Sequence, residues 1–359
     1  MKLSLLSLVA GLALSTSIHA APKDPVVASF ATVGDSRAEP SDKLNAQDKI
    51  WLQNTKAWSR ILREIQAQKP HALFFNGDMI MGYTTNKAEL NRQYAYWRGM
   101  VTGLQESGTY VVPVPGNHEV QEKFKDEGKT KKIARQGNED TWRENMGDLI
   151  VDSARWQTAV GSNLSAFDAK NAPQIGGDDK ISTDQSQLSY SFDFAGSHYV
   201  VINTDPVGND AHAPVAWLKA DLAQAKARGA QRLFVFGHRP AYTYLFKPGI
   251  DLEGLDKDPE HAKAFWQVIE DANATYFCGH EHIYNAMQPT KMQGGKAWQV
   301  MVGSGGSPFS ADPGDSNNPH DRTYAWAHVK VHASGKVEVD TYGFNDQYGP
   351  TKLLKHIEM

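Results

Sequence analysis

The sequence predicts an α/β fold. Short apolar runs that read as strands alternate with amphipathic helical patterns, and such alternation argues for a largely parallel sheet with helices on its faces. Five of the strand-like runs end alike, in one glycine followed by a residue able to bind a metal. Charged residues are 22% and hydrophobic residues 40% of the 359, a globular composition with enough chain for a sizeable core.

The chain begins with Lys2, an apolar run from Leu3 to Leu14, and small residues ending at Ala20. Residues 1–20 read as a secretory signal peptide, because the apolar run is about half of the roughly 20 residues that a stable membrane anchor needs. Cleavage near Ala20 or Ala21 leaves 21–359 as one exported domain with no membrane attachment. The single cysteine, Cys278, excludes an intramolecular disulfide and any all-cysteine zinc site. The expected compartment is a bacterial periplasm.

Val26–Val33 is the first strand. A helix follows over Lys49–Gln68, with apolar residues at Ile50, Trp51, Ala57, Trp58, Ile61, Leu62 and Ile65, and Pro70 stops it. Ala72–Phe75 is a strand, Ala88–Leu104 a helix and Tyr110–Val114 a strand. An insertion over about 120–187 then breaks the series. It is charged and rich in turn residues, and reads as a loop, either a lid over a site or a passive excursion. Order returns with a hairpin of Leu188–Phe194 and His198–Asn203. Pro214 opens a helix to about Arg228, and Arg232–Phe236 is a strand. A second insertion covers about 240–258, before a helix over Ala262–Asp271 and a strand over Thr275–Cys278. From Ile283 the chain is strand-rich, with a Gly303-Ser304-Gly305-Gly306 turn.

Charge narrows the partners. Lys plus Arg is 37 and Asp plus Glu is 41, so the net charge is 37 − 41 = −4. That balance excludes a strongly basic nucleic-acid binder, and no nucleic-acid polymer is expected as a partner.

The chemistry sits at the strand ends: Gly34-Asp35, Gly77-Asp78, Gly116-Asn117-His118-Glu119, Gly237-His238 and Gly279-His280-Glu281-His282. In α/β sheets the functional crevice lies beyond the carboxyl ends of the strands, so these turns converge on one rim. Asp35, Asp78, Asn117, His238, His280 and His282 offer six oxygen and nitrogen ligands, too many for one tetrahedral zinc. Six suit two ions that share a carboxylate.

This series resembles the calcineurin-like metallophosphoesterase family, in its purple acid phosphatase-like branch, over about 250 residues. The resemblance implies a four-layer α/β/β/α sandwich of two mixed β-sheets flanked by helices. It implies that Asp78 bridges both metals, that Asp35 and His282 complete one site, and that Asn117, His238 and His280 complete the other. His118 is implied to face the leaving group rather than to bind metal. Two positions depart from the family. Many members carry Asp-x-His in the first motif, where this chain has Asp35-Ser36-Arg37, and guanidinium has no lone pair to give a metal. Purple acid phosphatases place a Tyr where this chain has Met81, and Tyr83 is the nearby substitute. The first site is therefore a ligand short, and a divalent pair such as Mn, Fe or Zn is expected rather than a purple iron(III) protein. Arg37 either clamps a phosphate oxygen or pairs with an acid such as Glu39. Arg239 reads at least as well as a structural pair.

The expected activity is hydrolysis of a small phosphomonoester. Two divalent ions would hold a shared water as hydroxide, with His118 as general acid and Glu119 orienting it. A phosphodiesterase or nucleotidase on the same site is the alternative within enzymes, and Trp142, Trp156, Tyr242, Tyr244 and Phe246 could stack a base. A binding protein that lost catalysis is the alternative of another class. His118-Glu119 lacks the second histidine of a zinc-protease helix, and no P-loop or nucleophile elbow occurs.

Overall fold

Strands that are apolar on both faces need cover on both faces. The computed structural model, which describes residues 24–39, 50–245, 252–312 and 320–359, provides it in four layers. The signal-peptide expectation on residues 1–20 lies outside the described residues.

The chain runs β1 (Val26–Val33), α1 (Thr55–Gln68), β2 (Ala72–Asn76), α2 (Lys87–Glu106) and β3 (Tyr110–Val114). A single helical turn, α3 (Asn117–Val120), leads into a hairpin of β4 (Gln121–Asp126) and β5 (Lys129–Ala134). Then come α4 (Gln136–Met146), α5 (Ser153–Val160), β6 (Ala166–Phe167), β7 (Tyr190–Phe194) and β8 (Ser197–Val201). The second half holds α6 (Val215–Ala227), β9 (Arg232–Phe236), α7 (Pro259–Ala272), β10 (Thr275–Cys278), β11 (Tyr284–Met287) and β12 (Trp298–Val302). Three long strands close it: β13 (Thr323–His332), β14 (Val337–Asn345) and β15 (Lys352–Glu358).

One sheet has the order β15-β14-β13-β1-β2-β3, the other β11-β12-β10-β9-β8-β7-β6. Both are mixed: β1, β2 and β3 run parallel, as do β8, β9, β10 and β12, while the outer strands pair antiparallel. The two-residue period of β2 sorts the layers. Phe74 points to the second sheet and stacks on Phe236 at 3.8 Å, whereas Phe75 points to the helices and meets Trp58 and Trp97. Phe30 of β1 touches Phe234, Phe236 and Phe277 edge-on. On the far side, Tyr276 of β10 packs on Phe265 of α7. The α/β/β/α sandwich is thus present.

Two stretches differ from the sequence reading. Helix α1 starts at Thr55, because the Asn54 side chain accepts the amide of Ala57 and caps it there. Ile50 and Trp51 stay outside the helix and are exposed. The first insertion is not a loop but carries the β4–β5 hairpin, α4 and α5. Apolar residues in Gln136–Met146 are confined to Trp142 and Met146, too few to show a helical period. Trp142 and Trp156 are buried against Tyr94 and Tyr110, so neither offers a face to a base. Among the described residues no helix is long and apolar enough to cross a membrane.

Candidate metal centre

The five glycine turns follow β1, β2, β3, β9 and β10 and meet at one rim. Asp35, Asp78 and His280 take left-handed backbone at φ 61°, 54° and 72°. Such backbone costs a non-glycine residue about 1–3 kcal/mol and persists only where surroundings enforce it. Of the five glycines, Gly77 alone shares that region, at φ 82°. Most of the five glycines therefore serve close approach rather than left-handed backbone. A Cβ on Gly116 would stand 2.5 Å from the Asp78 amide nitrogen, and one on Gly279 would strike the Asp35 carboxylate.

Glu119 enforces the Asp78 turn. Its buried carboxylate accepts the amides of Gly116 at 2.7 Å, Asp78 at 2.9 Å and Ile80 at 3.2 Å. Glu119 therefore points away from His118, and the orienting role expected of it is not seen. The Gly303–Gly306 turn enforces Asp35: Gly305 donates to the Gly34 carbonyl and Ser307 to the Asp35 carbonyl, both at 2.9 Å.

Around Asp78 the expected donors converge. His238 Nε2 lies 2.8 Å from Asn117 Oδ1 and 3.2 Å from Asp78 Oδ1. His280 Nδ1 lies 2.9 Å from Asn117 Oδ1 and 3.1 Å from His238 Nε2. The outward atoms explain which lone pairs face inward. His238 Nδ1 donates to the Asn76 carbonyl at 2.8 Å, so Nε2 carries a lone pair. Asn117 gives its amide hydrogens to the Tyr83 hydroxyl, so Oδ1 is turned in. Two acceptors held 2.8 Å apart cannot hydrogen-bond each other, and a cation between them resolves the contact.

The other half is looser. One oxygen or nitrogen each from Asp35, Asp78 and His282 lie within 4.8 Å of one another. Asp35 Oδ1 is buried without a hydrogen-bond partner. His282 Nδ1 bonds the Pro308 carbonyl at 2.5 Å, which turns Nε2 inward, 3.6 Å from Asp35 Oδ1. Arg37 enters here. Its Nε is 3.4 Å from Asp78 Oδ2 and its Nη2 3.3 Å from His282 Nε2. Arg37 thus pairs with an acid, Asp78, that is itself part of the cluster.

Charge follows burial. Burial pushes the Asp35 carboxyl well up, and the Asp78 charge adds to it. Burial opposes the charge on Asp78 as well, but His118, His238, Arg37 and His280 outweigh it and hold that carboxyl low. Burial lowers the His238 imidazole, and burial with Arg239 brings His280 to about 4. Burial and Arg37 bring His282 to about 3. Neutral imidazoles around adjacent carboxylates form a donor set that fits divalent metal ions.

His118 is placed beside this set. Its Nδ1 bonds the Met81 carbonyl, and its Nε2 is 3.6 Å from Asp78 Oδ2. Burial, then Arg37, keeps the ring well below its ordinary pKa. Tyr83 covers it, with ring centroids 3.7 Å apart. The Tyr83 hydroxyl contacts Asn117 rather than Asp35 or His282, and burial pushes its pKa up, so it does not replace the missing tyrosinate. Arg239 is held by buried Asp205, with Nε 2.8 Å from Oδ1, which agrees with a structural pair.

A model of the calcineurin-like phosphoesterase family matches residues 30–284, the span that contains every one of these turns. The chain belongs to this family. Purple acid phosphatase 23 of Arabidopsis thaliana is 27% identical over 146 residues, which are 38% of this chain and 31% of that protein. The solved purple acid phosphatase PPD1 from yellow lupin seeds superposes with a TM-score of 0.56 at 14% identity, over 94% of this chain and 54% of that one. The solved PhoD gives the same TM-score and identity, over 94% of this chain and 70% of PhoD. At that identity the two structures speak for the fold, and the chain spans about half or less of the purple acid phosphatases' length. For a calcineurin-like phosphoesterase the cluster suggests a binuclear metal site.

Several groups that build the site were not singled out in the sequence. The carbonyls of Asn76, Met81 and Pro308 aim the histidines, and a carbonyl leaves no mark in residue type. Glu253, 3.5 Å from His280 Nε2, and Asp205, under Arg239, are single acids in loops without a motif.

Proposed function

We propose that this chain is an exported phosphomonoester hydrolase. It would work with two divalent ions, Mn, Fe or Zn, held by Asp35, Asp78, Asn117, His238, His280 and His282, with Asp78 shared. The observation that carries this reading is the inward pair of acceptors, Asn117 Oδ1 and His238 Nε2, 2.8 Å apart. The N-terminal pattern of residues 1–20 supports export.

Ions bound there supply Lewis-acid chemistry to a phosphoryl group and to water. The chain's own residues do the rest. Arg37, beside Asp78, offers a planar guanidinium to a phosphoryl oxygen, and its fixed charge suits a dianionic monoester more than a monoanionic diester. His118 holds a proton at Nε2 for the leaving oxygen, while the Met81 carbonyl fixes Nδ1. Burial and Arg37 favour the neutral ring until a phosphate dianion sits against it and draws the proton on. The donor cluster contains no serine or cysteine, and no covalent phosphoenzyme is part of this reading.

The test is hydrolysis of p-nitrophenyl phosphate and bis(p-nitrophenyl) phosphate by chelated protein, with Mn, Fe, Zn or Mg restored separately. Metal-dependent cleavage of the monoester is expected. A strong preference for the diester would replace this reading with a phosphodiesterase, and inactivity with every metal would replace it with a binding protein. His118→Ala should keep its metal and lose roughly 10²–10⁴-fold in turnover of an alkyl phosphate, and less with the better p-nitrophenol leaving group. Undiminished alkyl phosphate turnover would remove His118 from the acid role.

A further inference from the structure

The β4–β5 hairpin carries two faces of opposite character. A two-residue turn at Glu127 and Gly128, both at positive φ, sets the register, with Lys123 opposite Lys132, Lys125 opposite Thr130 and Phe124 opposite Lys131. On one face two of the cations are matched: Lys131 pairs with Asp126, and Arg135 pairs with Glu122 at 2.9 Å and covers the Phe124 ring. On the other face Lys123 and Lys132 stand directly across from each other. Like charges in that position destabilise a hairpin. Among the described residues Lys123 makes no ion pair, Lys125 bonds only Thr130 Oγ1 at 2.6 Å, and Lys132 meets Glu253 at a loose 3.5 Å.

This face looks onto the metal centre. The Nζ of Lys132 lies 5.3 Å, and that of Lys123 5.9 Å, from the centroid of the Tyr83 ring. Tyr83 in turn lies on His118 and contacts Asn117. The placement is fixed by backbone: the Lys123 amide donates to the Tyr83 carbonyl, and the Tyr83 amide to the His118 carbonyl, both at 3.1 Å. At the hairpin base, Gln121 and the Ala134 amide bond Asp205 and Asp210. The hairpin therefore holds two ammonium groups past His118, Lys123 without an ion pair and Lys132 only loosely paired with Glu253, on the side where the proposed leaving group would depart.

The geometry points to Lys123 and Lys132 as a second anion subsite, so that the preferred substrate carries another phosphate on its leaving group. This rests on the phosphoesterase reading and names the substrate class for it: bisphosphates and diphosphates rather than simple monophosphates. The cross-strand repulsion is then a stability cost that the second phosphate relieves by charge-assisted hydrogen bonds. Lys125, further out on the same face, extends the track away from the metals.

The experiment compares binding of methylenediphosphonate and methylphosphonate, neither of which is hydrolysed, by calorimetry on the metal-loaded chain. The wild-type preference for the diphosphonate should fall by about tenfold for each of Lys123→Gln and Lys132→Gln, one charge-assisted contact apiece. It should also fall as salt is raised. Lys131→Gln, which removes the same charge from the opposite face, should leave the preference where it was. Both test variants relieve repulsion and should fold at least as well as wild type. An unchanged preference in the double variant, or an equal fall in Lys131→Gln, would overturn the subsite. If p-nitrophenyl phosphate is not cleaved, the phosphoesterase reading fails, yet the same titration on the metal-free chain still decides the subsite.

Discussion

On one side of Asp78, three donors lie 2.8–3.1 Å apart: Asn117 is aimed by the Tyr83 hydroxyl, His238 by the Asn76 carbonyl, and His280 faces Arg239 at 3.1 Å and Glu253 at 3.5 Å through Nε2. On the other side, Asp35 and His282 stand 3.6 Å apart and Arg37 brings a fixed positive charge to within 3.4 Å of the shared carboxylate. The two halves share a carboxylate and a family but not a design. One gathers its donors within 3.1 Å of one another. The other offers an ion fewer ligands, and its neighbouring cation, Arg37, lies against the shared carboxylate itself. The half expected to bind its ion more weakly is also the half that the proposed substrate phosphate would complete, because Arg37 would then have an oxyanion to face.

The largest effect should separate the halves outright. His238→Ala should remove the tighter metal equivalent, a loss beyond the roughly 10–100-fold that follows from disturbing an outer partner. His282→Ala should leave that equivalent in place and abolish only the weaker one. Metal titration by calorimetry on both variants reads this directly. Equal losses would mean that the two halves bind as one unit and that the asymmetry has no thermodynamic weight.

Tyr83→Phe comes next. Without the hydroxyl, nothing in that position dictates which end of the Asn117 amide faces inward. A drop of roughly 10–100-fold in affinity is expected, confined to the Asn117 side. Arg37→His should act on the opposite half and with the opposite sign. It trades a cation for a lone pair, so the second metal equivalent should tighten by about tenfold, with little change in the first. A second equivalent that stays weak would show that Arg37 is not what limits that half.

The convergence of the candidate donors was legible because strand, glycine and a metal-binding residue type recur five times, from Asp35 to His282. Residue type at a strand end is a strong signal, and the three parallel strands that open the first sheet were equally plain from β1 to β3. The orientation of each donor was not legible. It depends on the carbonyls of Asn76, Met81 and Pro308, which every residue type possesses. Glu119 was visible but its neighbour in sequence is not its partner in space: in a single helical turn it points back to Asp78. The hairpin was missed for a related reason. Gln121–Ala134 alternates charged residues on both faces, so its period carries no apolar signal, and only the Glu127-Gly128 turn marks it.

The smallest effect tests whether outward contacts matter by burial rather than by number. Glu253 touches His280 Nε2 at 3.5 Å, as Tyr83 touches Asn117, but its side chain is 60% exposed where the Tyr83 hydroxyl is enclosed. An exposed, long ion pair contributes about 0–1 kcal/mol and is screened by salt. Glu253→Gln should therefore cost no more than about fivefold in metal affinity, and that difference should vanish in high salt. The Tyr83→Phe loss should persist there, because its contact is buried and uncharged. If Glu253→Gln costs as much as Tyr83→Phe and resists salt, then the 252–257 loop closes over His280 in solution, and the better-built half owes its order to that loop and not to the strand-end turns alone.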